Sequence, residues 1–394
     1  MKDTEISKRL DYINLFTNRI IKKDMFIKDF LWNNLSLQEK RDVLLNRNLM
    51  EIYYTGILRQ KYKNNRITQE RRYNIVPNEH INYRYEIINK LGKGAYSNVI
   101  RAKDHKFNED VAIKLFRKKS EFKKIYQKEI ELLLFIRNNY CDDRDYLIVL
   151  KDNFNFRNHM CFTTKIYGLN LYENRENIEI FSYNNKYRVV NDILLGLDFL
   201  KNCRPIIIHG DLKPENIFMR KYDNVPEVVI GDFGLSQYVN NNSYINKGYD
   251  ILQTVCYRAP EIYFKIPYNE TIDIWSAGCI IYEIFFNCLL VSTKKDVDLL
   301  LFIHEIFGEP DKNFIDSHKN ISKYYKNYET IYIQDSNYMY RYPLNNDIFN
   351  LSKNKSVNKK IEELLIFIKK FLEWDSFKRI TPLEAISMVS LLNN

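Results

Sequence analysis

The stretch that most restricts what this chain can become is Ile206 to Asn216, IIIHGDLKPEN. Three β-branched residues end at His209, and Asp211, Lys213 and Asn216 follow at spacings of two and three. An apolar strand therefore breaks into a short loop that carries an acid, a base and an amide. Taken alone, this is a polar loop after a core strand. Its chemistry suits phosphoryl transfer. A carboxylate accepts the proton of an attacking hydroxyl, a lysine neutralises phosphate charge, and an amide oxygen holds a metal ion. Asp232-Phe233-Gly234 follows the apolar run Val228-Val229-Ile230. Asp232 joins Asn216 as a candidate Mg2+ ligand, because hard cations take carboxylate and amide oxygens.

Upstream segments supply what such a loop lacks. Leu91 to Val99 reads LGKGAYSNV. Gly92 and Gly94 allow a strand hairpin to lie close over phosphates, with backbone amides as donors; Ser97 stands where a third glycine is usual. An ordinary hairpin would read the same. Val111-Ala112-Ile113-Lys114 places a lysine in an apolar strand, which is costly unless the lysine meets an anion. Its expected partners are nucleotide phosphates and a carboxylate on the following helix. Glu129, beside that helix's apolar face, is the first candidate and Glu131 the alternative. Farther on, Glu261 in Ala259-Pro260-Glu261 is expected to pair with a buried Arg379, and Asp273 to hold the loop around Asp211 from below. Each motif is modest alone, but their order and spacing exclude coincidence.

Bulk properties narrow the class. At 394 residues and 45% hydrophobic, the chain can form one two-lobed domain with an extension and a large core. The net charge is +10, but Lys and Arg are scattered, so a diffuse basic surface is expected and no nucleic-acid groove. The six cysteines include no Cys-x-x-Cys pair, which points to a reducing compartment without a zinc site. The first residues lack a signal-peptide core. The longest apolar run, Ala277 to Val291, contains Glu283 and Asn287 and is too short to span a bilayer. A cytoplasmic or nuclear protein with no membrane contact is expected.

The organisation follows from periodicity. Residues 1–84 read as an extension, with a capping box at Ser36 to Glu39, a helix to about Asn48 and an amphipathic aromatic segment from Glu51 to Tyr62. Its Tyr53, Tyr54, Ile57 and Leu58 are expected to dock on the next domain. Strands are expected from Tyr85 to Val111 and from Leu147 to Ile166. Helices are expected over Ser120–Asn138, Tyr187–Leu200, Thr271–Phe286, Leu299–Phe307 and Asn358–Glu373. Asp311 to Asn354 reads as an irregular insertion. The fold class is α+β, with a small β-rich lobe at 85–166 and a larger helical lobe at 167–390.

From Tyr85 to Met388 the chain resembles the eukaryotic protein kinases. Within them it is similar to the CMGC group, and most closely to the dual-specificity tyrosine-regulated (DYRK) family. The narrower likeness rests on NEHINYRYEI (Asn78 to Ile87) and EIYYTGILRQK (Glu51 to Lys61). It also rests on NFNFRNHMC (Asn153 to Cys161) with Asn170-Leu171-Tyr172, on Phe371 to Ala385, and on Gly210 before the catalytic aspartate. The resemblance implies a serine/threonine kinase using Mg2+ and ATP on protein substrates, acting as a monomer, with tyrosine autophosphorylation. The alternative is a pseudokinase scaffold; a small-molecule kinase is a further one, disfavoured by Ala259-Pro260-Glu261. By resemblance, Asp211 takes the substrate proton, Lys213 meets the γ-phosphate, Asn216 and Asp232 hold Mg2+, and Lys114 pairs with Glu129. Leu91, Gly92, Lys93, Gly94, Ala95, Tyr96, Ser97, Asn98 and Val99 cover the phosphates. Val99, Ala112 and Phe218 enclose the adenine, Thr164 is the gatekeeper and Ile166 lies in the hinge.

Several positions depart from the family pattern. Leu235 replaces a serine, Lys165 a hinge acid, and Tyr249-Asp250-Ile251 a Tyr-x-Tyr. Val255 replaces the first of two arginines that receive a phosphate, and Arg258 remains. Ile251 is expected to pack on Val255, making the kinase active without a phosphate at 251.

Overall fold

The computed structural model describes residues 21–22, 37–45, 51–53, 71–139, 145–179, 182–221, 226–241, 243–246, 252–293, 296–318, 321, 325–326, 329–330 and 359–393. The chain divides into two compact units, Met1–Tyr140 with Val149–Ile166, and Cys141–Ile148 with Tyr167–Asn394.

In the first unit, β3 (His80–Ile81), β4 (Tyr85–Lys93), β5 (Ser97–Asp104), β6 (Glu109–Phe116), β7 (Leu150–Phe156) and β8 (His159–Lys165) form an antiparallel sheet in the order β3-β4-β5-β6-β8-β7. Alternation decides its two faces. Ile100, Ala102, Val111, Ile113, Leu115 and Cys161 point to one side and are buried. Cross-strand partners share a face. The pairs Val99 with Lys114, and Ala112 with Thr164, therefore put these four residues on the opposite side. The apolar side is covered from the extension. Val43, on the helix Leu37–Leu45, Ile52 and Tyr73 lie in the same core as the strands. Tyr53 N donates to Tyr83 O at 2.8 Å, and Arg157 Nε meets Asp42 Oδ2 at 2.8 Å.

Some expectations change here. Glu51–Ile52 is a short strand (β2) paired with Ile21–Lys22 (β1), because its backbone finds an extended partner there. Tyr54, Ile57, Leu58 and Ser36 lie outside the described residues. The sheet starts at His80, before the expected boundary at Tyr85. Residues 145–148, expected in the small lobe, belong to the second unit. Ile148 N donates to Ile230 O, and Ile230 N to Tyr146 O, each at 2.9 Å.

The second unit is built on helices. Tyr183–Asn202 exceeds the expected Tyr187–Leu200 by a turn at its start, because Ser182 caps it by accepting from Asn185 N. Thr271–Phe286 has the expected bounds and is buried along nearly its whole length, so it is a central helix and no membrane span. Asp296–Phe307, Lys359–Lys369 and Pro382–Leu392 follow, the last opened by a Thr381–Glu384 capping box. Part of the stretch expected to be irregular is helical: Lys312–Ser317, with the Asp311 side chain accepting from Phe314 N. Residues 331–358 lie outside the described residues. Two short antiparallel pairs position the loops. β9 (Ile206–Ile208) pairs with β12 (Gln237–Val239), and β10 (Ile217–Lys221) pairs with β11 (Glu227–Ile230). Among the described residues no helix is long and apolar enough to cross a membrane.

Candidate active site

In the second unit the loop after β9 is held from its own backbone. Asp273, buried on the central helix, accepts from His209 N at 2.6 Å and from Gly210 N at 3.0 Å. Burial pushes its carboxyl up to about 6, against the lowering effect of His209 and of the two amides. The two backbone donors favour its carboxylate form. His209 Nε2 lies 3.0 Å from Gly231 O, and Ser236 Oγ donates to His209 O at 2.9 Å, tying this loop to the segment around Asp232.

Gly210 has φ +78°, and a Cβ there would lie 2.9 Å from Leu252 Cδ1 and 3.1 Å from Leu235 O. Local space and backbone conformation both require glycine here.

The side chains that this loop presents form a closed set. Lys213 Nζ is 2.7 Å from Asp211 Oδ2 and donates to Thr254 Oγ1 at 3.0 Å, while Thr254 Oγ1 donates to Asp211 Oδ1 at 2.9 Å. Asn216 Nδ2 donates to Asp211 O at 2.8 Å, which turns its oxygen the other way. Gly231 N donates to Asn216 O at 2.8 Å, and Asp232 follows with φ +63°. That left-handed conformation is uncommon for a side-chain-bearing residue and is concentrated at functional positions. A carboxylate and an amide oxygen on neighbouring, bonded segments suit a hard divalent cation whose other ligands come from phosphates and water. Among the described residues no group of three or more His, Cys, Asp or Glu forms a self-sufficient metal site. Phe218 lies on β10 opposite Val229.

In the first unit, Lys114 Nζ lies 2.6 Å from Glu129 Oε1, with Glu129 1% exposed on the helix Ser120–Asn139. Glu131, the alternative, is exposed. The hairpin joining β4 and β5 carries Gly92 and Gly94. A Cβ on Gly92 would meet nothing within 4 Å, and one on Gly94 would come no nearer than 3.7 Å to Ser97 Oγ. Neither glycine has a positive φ in the range that would demand one. The fold itself leaves room there, which is what a hairpin lying against phosphates needs. Leu91 and Tyr96 are exposed, Ser97 and Asn98 buried.

Glu261 and Arg379 meet at 2.5 and 2.7 Å through two bonds, both residues buried. Sequence reading missed Thr254, which reaches Asp211 across 43 residues. It also missed Gln253, which donates to Ile272 O and Ser276 Oγ and accepts from Ala259 N. No local pattern marks either residue.

The protein kinase domain family matches residues 85–389. The chain is 33% identical over 327 residues to a putative dual specificity tyrosine-phosphorylation-regulated kinase 3 homolog of Drosophila melanogaster, covering 79% of this chain and 38% of the relative. It is 33% identical over 319 residues to human dual specificity tyrosine-phosphorylation-regulated kinase 4, covering 79% of this chain and 58% of the relative. It is 33% identical over 329 residues to the kinase mbk-2 of Caenorhabditis elegans, covering 80% of this chain and 39% of the relative. The matched part thus spans between 38% and 58% of these relatives' length. With a kinase-domain match over most of its length and DYRK kinases among its relatives, the chain belongs to the protein kinase family as a DYRK-like, CMGC-type member.

Proposed function

We propose that this chain transfers the γ-phosphate of ATP to serine and threonine hydroxyls of proteins, with tyrosine autophosphorylation. The observation that carries the reading is the Asp211–Lys213–Thr254 set, fixed through Asp273. A pseudokinase scaffold has no use for a carboxylate, an ammonium and a hydroxyl held within 3.0 Å of one another.

In this mechanism Asp211 orients the substrate hydroxyl and takes its proton at a carboxylate oxygen. Lys213 supplies positive charge where the transferred phosphoryl group gains negative charge. Lys114, steadied by Glu129, binds nucleotide phosphates, and the hairpin Leu91 to Val99 covers them. The family likeness assigns Ala112, Val99 and Phe218 to the adenine, with Thr164 and Ile166 beside it. Asn216 and Asp232 would hold Mg2+, which neutralises phosphate charge when bound.

Lys114→Met and Asp232→Asn test this reading. Each removes one electrostatic task, so each is expected to lower phosphoryl transfer by about two to four orders of magnitude. Both variants should remain folded in a thermal melt, Lys114→Met with a lowered midpoint because Glu129 loses its ion-pair partner. Near-normal turnover by either folded variant would refute the assignment, and a wild-type chain that binds ATP without transferring phosphate would favour the scaffold.

A further inference from the structure

The segment just before the sheet sends one side chain into the phosphate-covering hairpin. Arg72, 7% exposed, donates from Nη1 to Ser97 O at 2.8 Å and to Asn98 Oδ1 at 3.2 Å. From Nη2 it donates to Gly94 O at 2.9 Å and to Ala95 O at 3.2 Å. Four oxygens, from four of the five residues Gly94 to Asn98, thus converge on one guanidinium. Ser97 O also accepts from Gly94 N at 3.0 Å, the bond that closes the hairpin tip. Only a planar fork of donors can hold that many oxygens at once. Burying such a charge is costly unless its donors are bonded, so the arrangement stands only if the tip keeps this shape.

Arg72 is itself fixed from both sides. Arg71 O accepts from Lys118 N at 3.0 Å. Tyr73 is buried in the core, with its ring 5.4 Å from that of His159 and 6.1 Å from that of Phe156. The far side of the hairpin tip is held as well. Arg117 N donates to Tyr96 O at 2.9 Å, and the Tyr96 ring packs 5.3 Å from Phe122, on the helix that carries Glu129.

From this geometry we infer that Arg72 is a positioning residue for the nucleotide: it sets the shape of the glycine hairpin before the phosphates arrive. The inference rests on the kinase reading of this site. A hairpin with two glycines loses more conformational freedom on ordering than one with side chains. Whatever ordering remains to be done on binding is subtracted from affinity. Arg72 meets that cost in the free protein. Its effect should therefore fall on ligands that carry phosphates and spare those that do not.

The test uses the full chain as wild type, Arg72→Ala and Arg72→Lys. Calorimetry with Mg-ATP and with adenosine is paired with KM and kcat measurements. Arg72→Ala should weaken ATP binding and raise KM for ATP by about tenfold, leaving adenosine within about twofold. Arg72→Lys should fall between, since an ammonium reaches fewer of the four oxygens. Unchanged ATP affinity in a folded variant overturns the inference, leaving Arg72 as a structural staple. A parallel loss of ATP and adenosine overturns it too, because the whole site has then been disturbed. If Arg72→Ala does not fold, the ratio of ATP to adenosine affinity in Arg72→Lys and Arg72→Gln decides in the same way. A wild-type chain that binds no ATP removes the kinase reading itself, and the inference with it.

Discussion

Arg379 and Glu261 lie 118 residues apart and meet through two charge-assisted bonds in a dry environment. Arg379 also donates to Thr271 O and Glu373 O, both at 3.0 Å, so its guanidinium joins three separate segments. Removing Glu261 leaves the buried Arg379 charge facing only two carbonyl oxygens, with no counter-charge. Such a loss costs about 3–5 kcal/mol, well above the usual effect of a surface pair. Glu261→Ala should therefore lower the denaturant midpoint sharply without changing the slope. A drop of less than about 1 kcal/mol would mean that the pair is solvated in solution.

At the scale of elements, the segment from Leu252 to Arg258 is held by contacts that need no phosphate. Gln253, with φ +58°, is buried and its backbone N donates to Gly210 O at 2.9 Å. Arg258 donates from Nε to Leu252 O at 3.1 Å and from Nη2 to Gln253 O at 2.8 Å. Hydrogen bonds from a charged donor contribute about 1.5–3 kcal/mol each. Val255 begins a single helical turn, Val255–Tyr257, while Tyr249 and Ile251 lie outside the described residues. The contact between Ile251 and Val255 therefore stays a proposal, supported by the apolar character of both. The expected outcome is that phosphatase-treated protein and Tyr249→Phe both keep most of the parent activity. If either loses most of it while remaining folded, Tyr249 acts as the switch.

At the scale of the whole molecule, the extension completes the core of the sheet. Val43, Ile52 and Tyr73 are 0%, 2% and 6% exposed among the strand residues. Burial of such side chains contributes about 1.5–3 kcal/mol each, as an upper bound set by an extended unfolded chain. Together they rival the net stability of an ordinary domain, about 5–15 kcal/mol. Deleting residues 1–80 also removes β3 residue His80 and the Arg72 fork. The truncated chain should show a thermal midpoint lower by about 10 °C or more and a poorer soluble yield. An unchanged midpoint in a thermal melt would reduce the extension to a tether.

What the sequence determined by itself was short-range. Asp211, Lys213 and Asn216 sit in one loop, so spacing alone made them neighbours. The period of two put Lys114 on the face opposite Val111 and Ile113, and the nearly continuous apolar run over Thr271–Phe286 marked a buried helix. The α+β class and the kinase likeness followed from the order of such local signals. Other features depended on the fold. Helical position ranked Glu129 before Glu131, and the phase of the helix against the sheet decided it, with Glu129 bonded to Lys114 and Glu131 exposed. Thr254 and Asp211 have no sequence relation that predicts a 2.9 Å bond. A sheet has two faces, and its pattern could not say that Val43, Ile52 and Tyr73 would cover one of them. Arg72, lying among scattered basic residues, gave no signal of its own. Its role depends on carbonyl oxygens, which every residue carries and no sequence distinguishes. Contacts made through the backbone, and contacts between distant segments, are set by where the chain returns in space.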